Sequence, residues 1–181
     1  MNHPDARAQT PGVVGLTLFA GDRLAVASGA RADVQLDNRV LRLAAHTELR
    51  LVREESGSYQ MALDKGSPTC HVVEAPATTF DLSTPSVSLK PEAPGVHRIA
   101  VTGARESQIS VHQGHIQVFS PQGSEWVLPG QKMVARGPAD NPEFKIVSAF
   151  RNWPRVLAAA TISVSLAASI AAGNARSRHG R

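Results

Sequence analysis

Apolar and polar residues alternate with a period of two along most of the chain. From Phe80 to Phe119 four short alternating runs lie between turn signals. Thr84-Pro85 closes the first run, Pro91 to Gly95 the second, Thr102-Gly103-Ala104 the third and Gln113-Gly114 the fourth. A period of two sends successive side chains to opposite faces of an extended strand, and Gly, Pro and Asn-rich breaks turn it. The earlier part reads the same way. Runs cover Val13 to Phe19, Arg23 to Ser28, Ala32 to Leu36 and Val40 to Leu43, and Asp37-Asn38 makes residues 32–43 a hairpin. In Glu48 to Glu54, Leu49 and Leu51 alternate with Glu48, Arg50 and Arg53, so one face is apolar and the other charged. Tyr59 to Leu63, Thr69 to Val73 and Thr78 to Leu82 follow. After Phe119, Ser120 to Glu125 reads as a polar loop. Trp126 to Leu128 and Gln131 to Ala135 are short strands about Pro129-Gly130, residues 136–143 a linker and Phe144 to Val147 a last run. About fifteen strands, spaced roughly 8–12 residues apart, predict an all-β fold. The expected form is an antiparallel β-roll or sandwich of stacked hairpins.

One internal echo stands out. Leu63-x-x-Gly66 running into Cys70 and Val72 parallels Val111-x-x-Gly114 running into Ile116 and Val118. Both read as a strand, a glycine turn and a strand, which suits rolled hairpins without establishing a repeat.

The chain's 181 residues suffice for one domain with a sizeable core plus a tail. Aromatic residues are only 4%, so Val, Leu, Ile and Ala must fill that core. The single cysteine, Cys70, makes no internal disulfide and reads as a small buried hydrophobe. The net charge of +4 belongs to the tail. Residues 151–181 hold Arg151, Arg155, Arg176, Arg178 and Arg181 with no acid, and the remaining 14 Lys and Arg face 15 Asp and Glu. Nothing in that balance favours a basic nucleic-acid face on the body, and no nucleic-acid partner is expected.

Met1 to Thr10 is polar and does not read as a secretory signal peptide. At the other end, Val156 to Gly173 has no charged residue over eighteen positions and is flanked by arginines. As a helix it would span about 27 Å, near the ~30 Å of bilayer hydrocarbon. The expected layout is a disordered N-terminus over 1–12, a β-domain over 13–148 and a linker over 149–155. An apolar helix over 156–173, a candidate membrane span, and a basic tail over 174–181 complete it. A helix packed on protein is the alternative for 156–173.

An ordered set of motifs resembles the FecR-like domain. It comprises Gly21-Asp22-Arg23-Leu24, Ser28-Gly29-Ala30-Arg31-Ala32-Asp33-Val34-Gln35-Leu36, Leu41-Arg42-Leu43 with His46-Thr47-Glu48-Leu49, and Leu63-x-x-Gly66. Phe80-x-Leu82-x-Thr84-Pro85, Gly95-Val96-His97-Arg98-Ile99-x-Val101, Val111-x-x-Gly114-x-Ile116-x-Val118 and Leu128-Pro129-Gly130-Gln131 continue it. Order and spacing agree from about Leu16 to Val134. The resemblance implies an all-β periplasmic or envelope domain without catalytic residues or cofactors, working through a protein or glycan partner. In FecR itself such a domain passes a signal from an outer-membrane receptor to a sigma factor. This chain shows no sigma-binding helical region at its start. His97 stands where relatives usually carry an aromatic, and the arginine-flanked tail stands where a Trp/Tyr-rich region is usual.

Candidate chemistry is sparse. His112 and His115 flank the Gln113-Gly114 turn and read as exposed strand ends rather than metal ligands. Cys70 and His71, being adjacent in a strand, point to opposite faces and cannot act as nucleophile and base. Arg98 reads as a buried structural arginine bonding turn carbonyls, and Asp22-Arg23 as a turn followed by a solvated charge. Trp126, followed by Val127 and Leu128, reads as core, with an exposed sugar-stacking surface as the alternative. No catalytic, cofactor-binding or metal-ligating residue is assigned. Two alternatives remain: an enzyme acting on envelope carbohydrate through Asp81, Glu106 and Glu125, and a binder of anionic membrane or nucleic acid through the arginine tail.

Overall fold

A computed structural model describes residues 9–11, 15–75, 77–91, 93–148 and 168–171. Sixteen strands are present among them. They are β1 (Gln9–Pro11), β2 (Arg23–Val26), β3 (Ala32–Leu36), β4 (Arg39–Leu43), β5 (Glu48–Glu55), β6 (Ser58–Lys65), β7 (Thr69–Val72) and β8 (Thr79–Ser83). Then come β9 (Ser88–Lys90), β10 (Gly95–Gly103), β11 (Glu106–Gln113), β12 (Ile116–Ser120), β13 (Gly123–Val127), β14 (Gln131–Arg136), β15 (Glu143–Ser148) and β16 (Ala168–Ala171). One sheet has the order β1-β16-β2-β5-β6-β8-β9-β12-β13 and the other β15-β14-β11-β10-β7-β4-β3. The all-β expectation holds.

The chain passes between the sheets hairpin by hairpin. β3–β4 lies in the second sheet, β5–β6 in the first, β7 in the second, β8–β9 in the first, β10–β11 in the second, β12–β13 in the first and β14–β15 in the second. Both inner faces feed one apolar cluster that includes Leu24, Leu41, Leu49, Met61, Phe80, Leu89, Ile109, Ile116 and Met133. Burying alternate residues of every hairpin against the opposite sheet makes the two sheets one body. The excursion of β7 into the second sheet returns β8 beside β6 in parallel, the single parallel pair among the described strands.

The echoed glycine turns have a definite place here. Gly66 (φ +95) lies where the chain leaves β6 for the other sheet, and Gly114 (φ +75) where it leaves β11. Both are corners rather than hairpin turns. A Cβ on Gly66 would come 2.4 Å from Thr47 Oγ1 and 2.5 Å from Thr47 Cα. A Cβ on Gly114 would come 2.1 Å from the Pro94 carbonyl oxygen. Left-handed backbone and close backbone approach together leave room for glycine alone.

Two expected boundaries change. The run Val13 to Phe19 carries no strand over residues 15–19, while residues 13 and 14 lie outside the described part. The Phe19 N–H donates to Asp22 Oδ2 (2.9 Å) in a turn, and the edge of β2 that such a strand would join is paired with β16. The expected loop Ser120 to Glu125 is instead a tight hairpin, with Ser120 opposite Gly123 and β13 running on to Val127. Its residues 123–126 are all exposed, so no apolar alternation marks the strand.

Gln9–Pro11 pairs with Ala168–Ala171, and the latter with β2. The rest of the stretches 1–12, 149–155, 156–173 and 174–181 lies outside the described residues. Among the described residues no helix is long and apolar enough to cross a membrane.

Candidate functional site

The motif residues in the middle of the chain hold the body together. Phe80 and Leu82 are fully buried. Thr84 turns the chain between β8 and β9: its hydroxyl donates to the Val87 carbonyl (2.9 Å) and accepts from the Val87 N–H (3.1 Å). The Ser107 hydroxyl, on β11 of the opposite sheet, donates to the same Thr84 oxygen (2.9 Å). A buried polar turn is thus satisfied across the two layers.

The buried arginine is Arg39, not Arg98. Arg98 is exposed and donates to the Ser67 hydroxyl at 3.4 Å. Arg39 is 0% exposed, donates to the Thr78 hydroxyl (3.0 Å), the Thr78 carbonyl and the Pro91 carbonyl (3.3 Å), and lies 5.6 Å from the Phe80 ring centroid. It bonds turn carbonyls as expected of the other residue. The signal was available: Arg39 shares strand parity with Leu41 and Leu43, whereas Arg98 alternates with buried His97 and Ile99.

Cys70 and His71 do point to opposite faces. On the inner face Cys70 is flanked in register by His97 of β10 and Leu41 of β4. Cys70 and His97 are both fully buried. Burial pushes the Cys70 thiol up to about 12 against the opposing charge of Arg39, so it stays protonated. Burial also drives His97 down to about 4, opposed by a hydrogen bond from the ring Nε2 side to the Ala93 carbonyl (3.4 Å). The neighbours are therefore a neutral thiol and a neutral imidazole, a packing pair rather than an ion pair. Among the described residues His97 Nδ1 has no hydrogen-bond partner.

The chemically distinctive surface feature lies on the outer face of the first sheet, at its β13 edge. Gln117 on β12 is flanked in register by Lys90 of β9 and Trp126 of β13. These three, with Ala93 and His115, line a shallow cavity of about 240 Å³. Trp126 is 48% exposed, because its neighbour Val127 takes the inward position. Its indole meets the His115 ring edge to face, with centroids 5.1 Å apart and planes at 69°. Lys90 Nζ is 3.5 Å from Asp81 Oδ1 and 5.4 Å from the Phe119 ring centroid. Gln117 Nε2 donates to the Ser124 hydroxyl (2.9 Å). A glycine contact sets the far wall: Gly95 and Gly114 approach so closely that a Cβ on Gly95 would come 2.1 Å from the Gln113 carbonyl oxygen. That approach brings the loop bearing Ala93 against the corner bearing His115.

The structure does not gather the three candidate acids. Asp81 lies on the first sheet beside Lys90. Glu106 lies on the second, where it accepts from Arg136 Nε (2.7 Å), the Thr102 hydroxyl (2.8 Å) and Gln108 Nε2 (3.4 Å). Those bonds, Arg136 first, hold its carboxyl below the usual range. Glu125 is on the edge strand β13. His112 and His115 are exposed on either side of the Gly114 corner, and only His115 reaches the cavity. Among the described residues no three His, Cys, Asp or Glu side chains converge as a metal site would require. Asp22 caps its turn as expected, but Arg23 is drawn to Asp64 (3.5 Å) beside the Arg50–Asp64 pair (2.7 Å). The arginine tail lies outside the described residues.

Fold and surface together define an all-β domain of two facing sheets, with a tryptophan-walled cavity on one outer face. Residues 22–117 match the family described as FecR protein, more than half of the chain, and the chain belongs to that family. Two crystal structures of a proposed anti-sigma factor from Parabacteroides distasonis share the fold. One has a TM-score of 0.57 at 20% identity and the other 0.57 at 19%. Each match covers 70% of this chain and 59% of the other, so the chain spans under two thirds of those proteins' length. No curated protein matches the chain.

Proposed function

We propose that this chain is a non-catalytic FecR-type domain of the bacterial cell envelope, passing a regulatory signal by contact of its sheet faces with a protein or glycan partner. Membership of the FecR family over residues 22–117 carries the reading. The fold shared with the proposed anti-sigma factor supports a place in envelope signalling. Thr84, Gly66, Gly95 and Gly114 serve corners and turns, and the outer sheet faces are the surfaces a partner would meet. The partner meets a preformed surface, so binding requires little ordering of the domain.

Fractionation of a tagged chain in its bacterial host tests the assignment. Recovery with the periplasmic or membrane fraction is expected. Recovery as a soluble cytosolic monomer would remove the envelope reading.

A further inference from the structure

We propose that the Trp126 cavity binds a single pyranose ring of a neutral glycan. The inference names the partner of the preceding reading and rests on it.

Three observations converge. First, the indole of Trp126 is half exposed and is held by His115 edge to face, so the ring is oriented before any ligand arrives. An exposed, oriented aromatic face suits the C–H face of a pyranose, which gains dispersion contact and loses little conformational entropy on stacking. Second, the polar lining offers donors and acceptors together. The Gln117 amide, steadied by Ser124, and the Lys90 ammonium line the cavity, and Asp81, outside the lining, holds Lys90 at 3.5 Å. Sugar hydroxyls both donate and accept, so neighbouring hydroxyls match an amide or an ion pair better than they match a lone charge. Third, the cavity of about 240 Å³ falls below the ~300–1,000 Å³ of sites for drug-sized molecules. It has room for one ring, with the remainder of a glycan chain running across the open sheet face.

Competing ligands fit less well. An anion would find one ammonium, already beside a carboxylate at 3.5 Å, and no guanidinium in the lining. An apolar peptide side chain would find one aromatic wall and one methyl, with the other three positions polar.

The test uses the full chain carrying Trp153→Phe, so that fluorescence reports Trp126 alone. The probes are a β-1,4-linked N-acetylglucosamine tetrasaccharide and cellotetraose, with acyclic sorbitol as control. A saturable change in emission with one of the ring-containing probes, at a Kd of about 1 mM or tighter, is expected, and none with sorbitol. Gln117→Ala should weaken binding about tenfold, the effect of losing one or two hydrogen bonds. Trp126→Ala should abolish binding by calorimetry while leaving the far-ultraviolet dichroism unchanged, since the side chain is outside the core. Flat titrations with both saccharides overturn the proposal. So does capture of a protein partner that Trp126→Ala abolishes when the saccharide titrations are flat. Either result leaves the envelope assignment to stand or fall on fractionation alone.

Discussion

At the scale of single residues, His97 shows how one buried side chain makes the domain sensitive to acid. Its imidazole is pushed down to about 4 by burial, against an ordinary value near 6.5. Between those values the unfolded chain binds a proton that the folded chain refuses. Stability therefore falls as pH drops from about 6.5 towards 4 and levels off below. Full titration is worth about 3 kcal/mol, from ~1.4 kcal/mol per pKa unit. His97→Phe keeps a ring at this position and removes the titratable imidazole with its Nδ1. Urea midpoints at pH 7 and pH 4.5 should show the wild type losing roughly 2–3 kcal/mol more than the variant over that interval. Equal losses would mean that the imidazole is protonated without penalty in the folded state. Side chains of this kind are legible by strand parity: His97 alternates with Arg98 and falls in line with Ile99, so it belongs inside. What surrounds its second nitrogen is not legible, because the groups around it come from distant strands.

At the scale of elements, the glycine corners decide how hairpins become layers. Gly57 and Gly66 both have positive φ, +78 and +95, but a Cβ on Gly57 meets nothing within 4 Å. Gly57→Ala should cost only the backbone strain, about 1–2 kcal/mol. Gly66→Ala adds a collision with the Thr47 backbone and should cost roughly 3 kcal/mol or more, or prevent folding. Comparing the two urea midpoints checks this; equal costs would show that the corner packing is slack. The echo of Gly66 and Gly114 was visible in the chain. Its meaning as a passage between sheets was not, since a glycine turn looks the same locally whether the next strand returns to its own sheet or crosses to the other. The first residues of β13 read as loop for a related reason: an edge strand exposed on both faces carries no apolar period.

For the whole molecule, the shared core predicts cooperativity. Leu49, Phe80 and Ile116 from one sheet and Leu41, Ile109 and Met133 from the other belong to a single cluster, so neither sheet keeps its buried face if the other unfolds. Trp126 emission in the Trp153→Phe chain and β-type far-ultraviolet dichroism should report one coincident urea transition. Separate midpoints would show that the sheets unfold independently. Most of this body could be read from the chain alone: strands from period-two alternation, turns from Gly, Pro and Asn, an aliphatic core from the scarcity of aromatics, and the family from eight motifs in order. Those are local quantities, set by steric preference and by which residues share a face. Long-range pairing settled the rest. It chose the sheet each hairpin joins, placed β6 and β8 in parallel, buried Arg39 while exposing Arg98, set Cys70 against His97 and turned Trp126 outward beside Lys90 and Gln117. Alternation separates the two faces of a strand, but only the strands that arrive from elsewhere in the chain determine which face meets the core and what stands across from it.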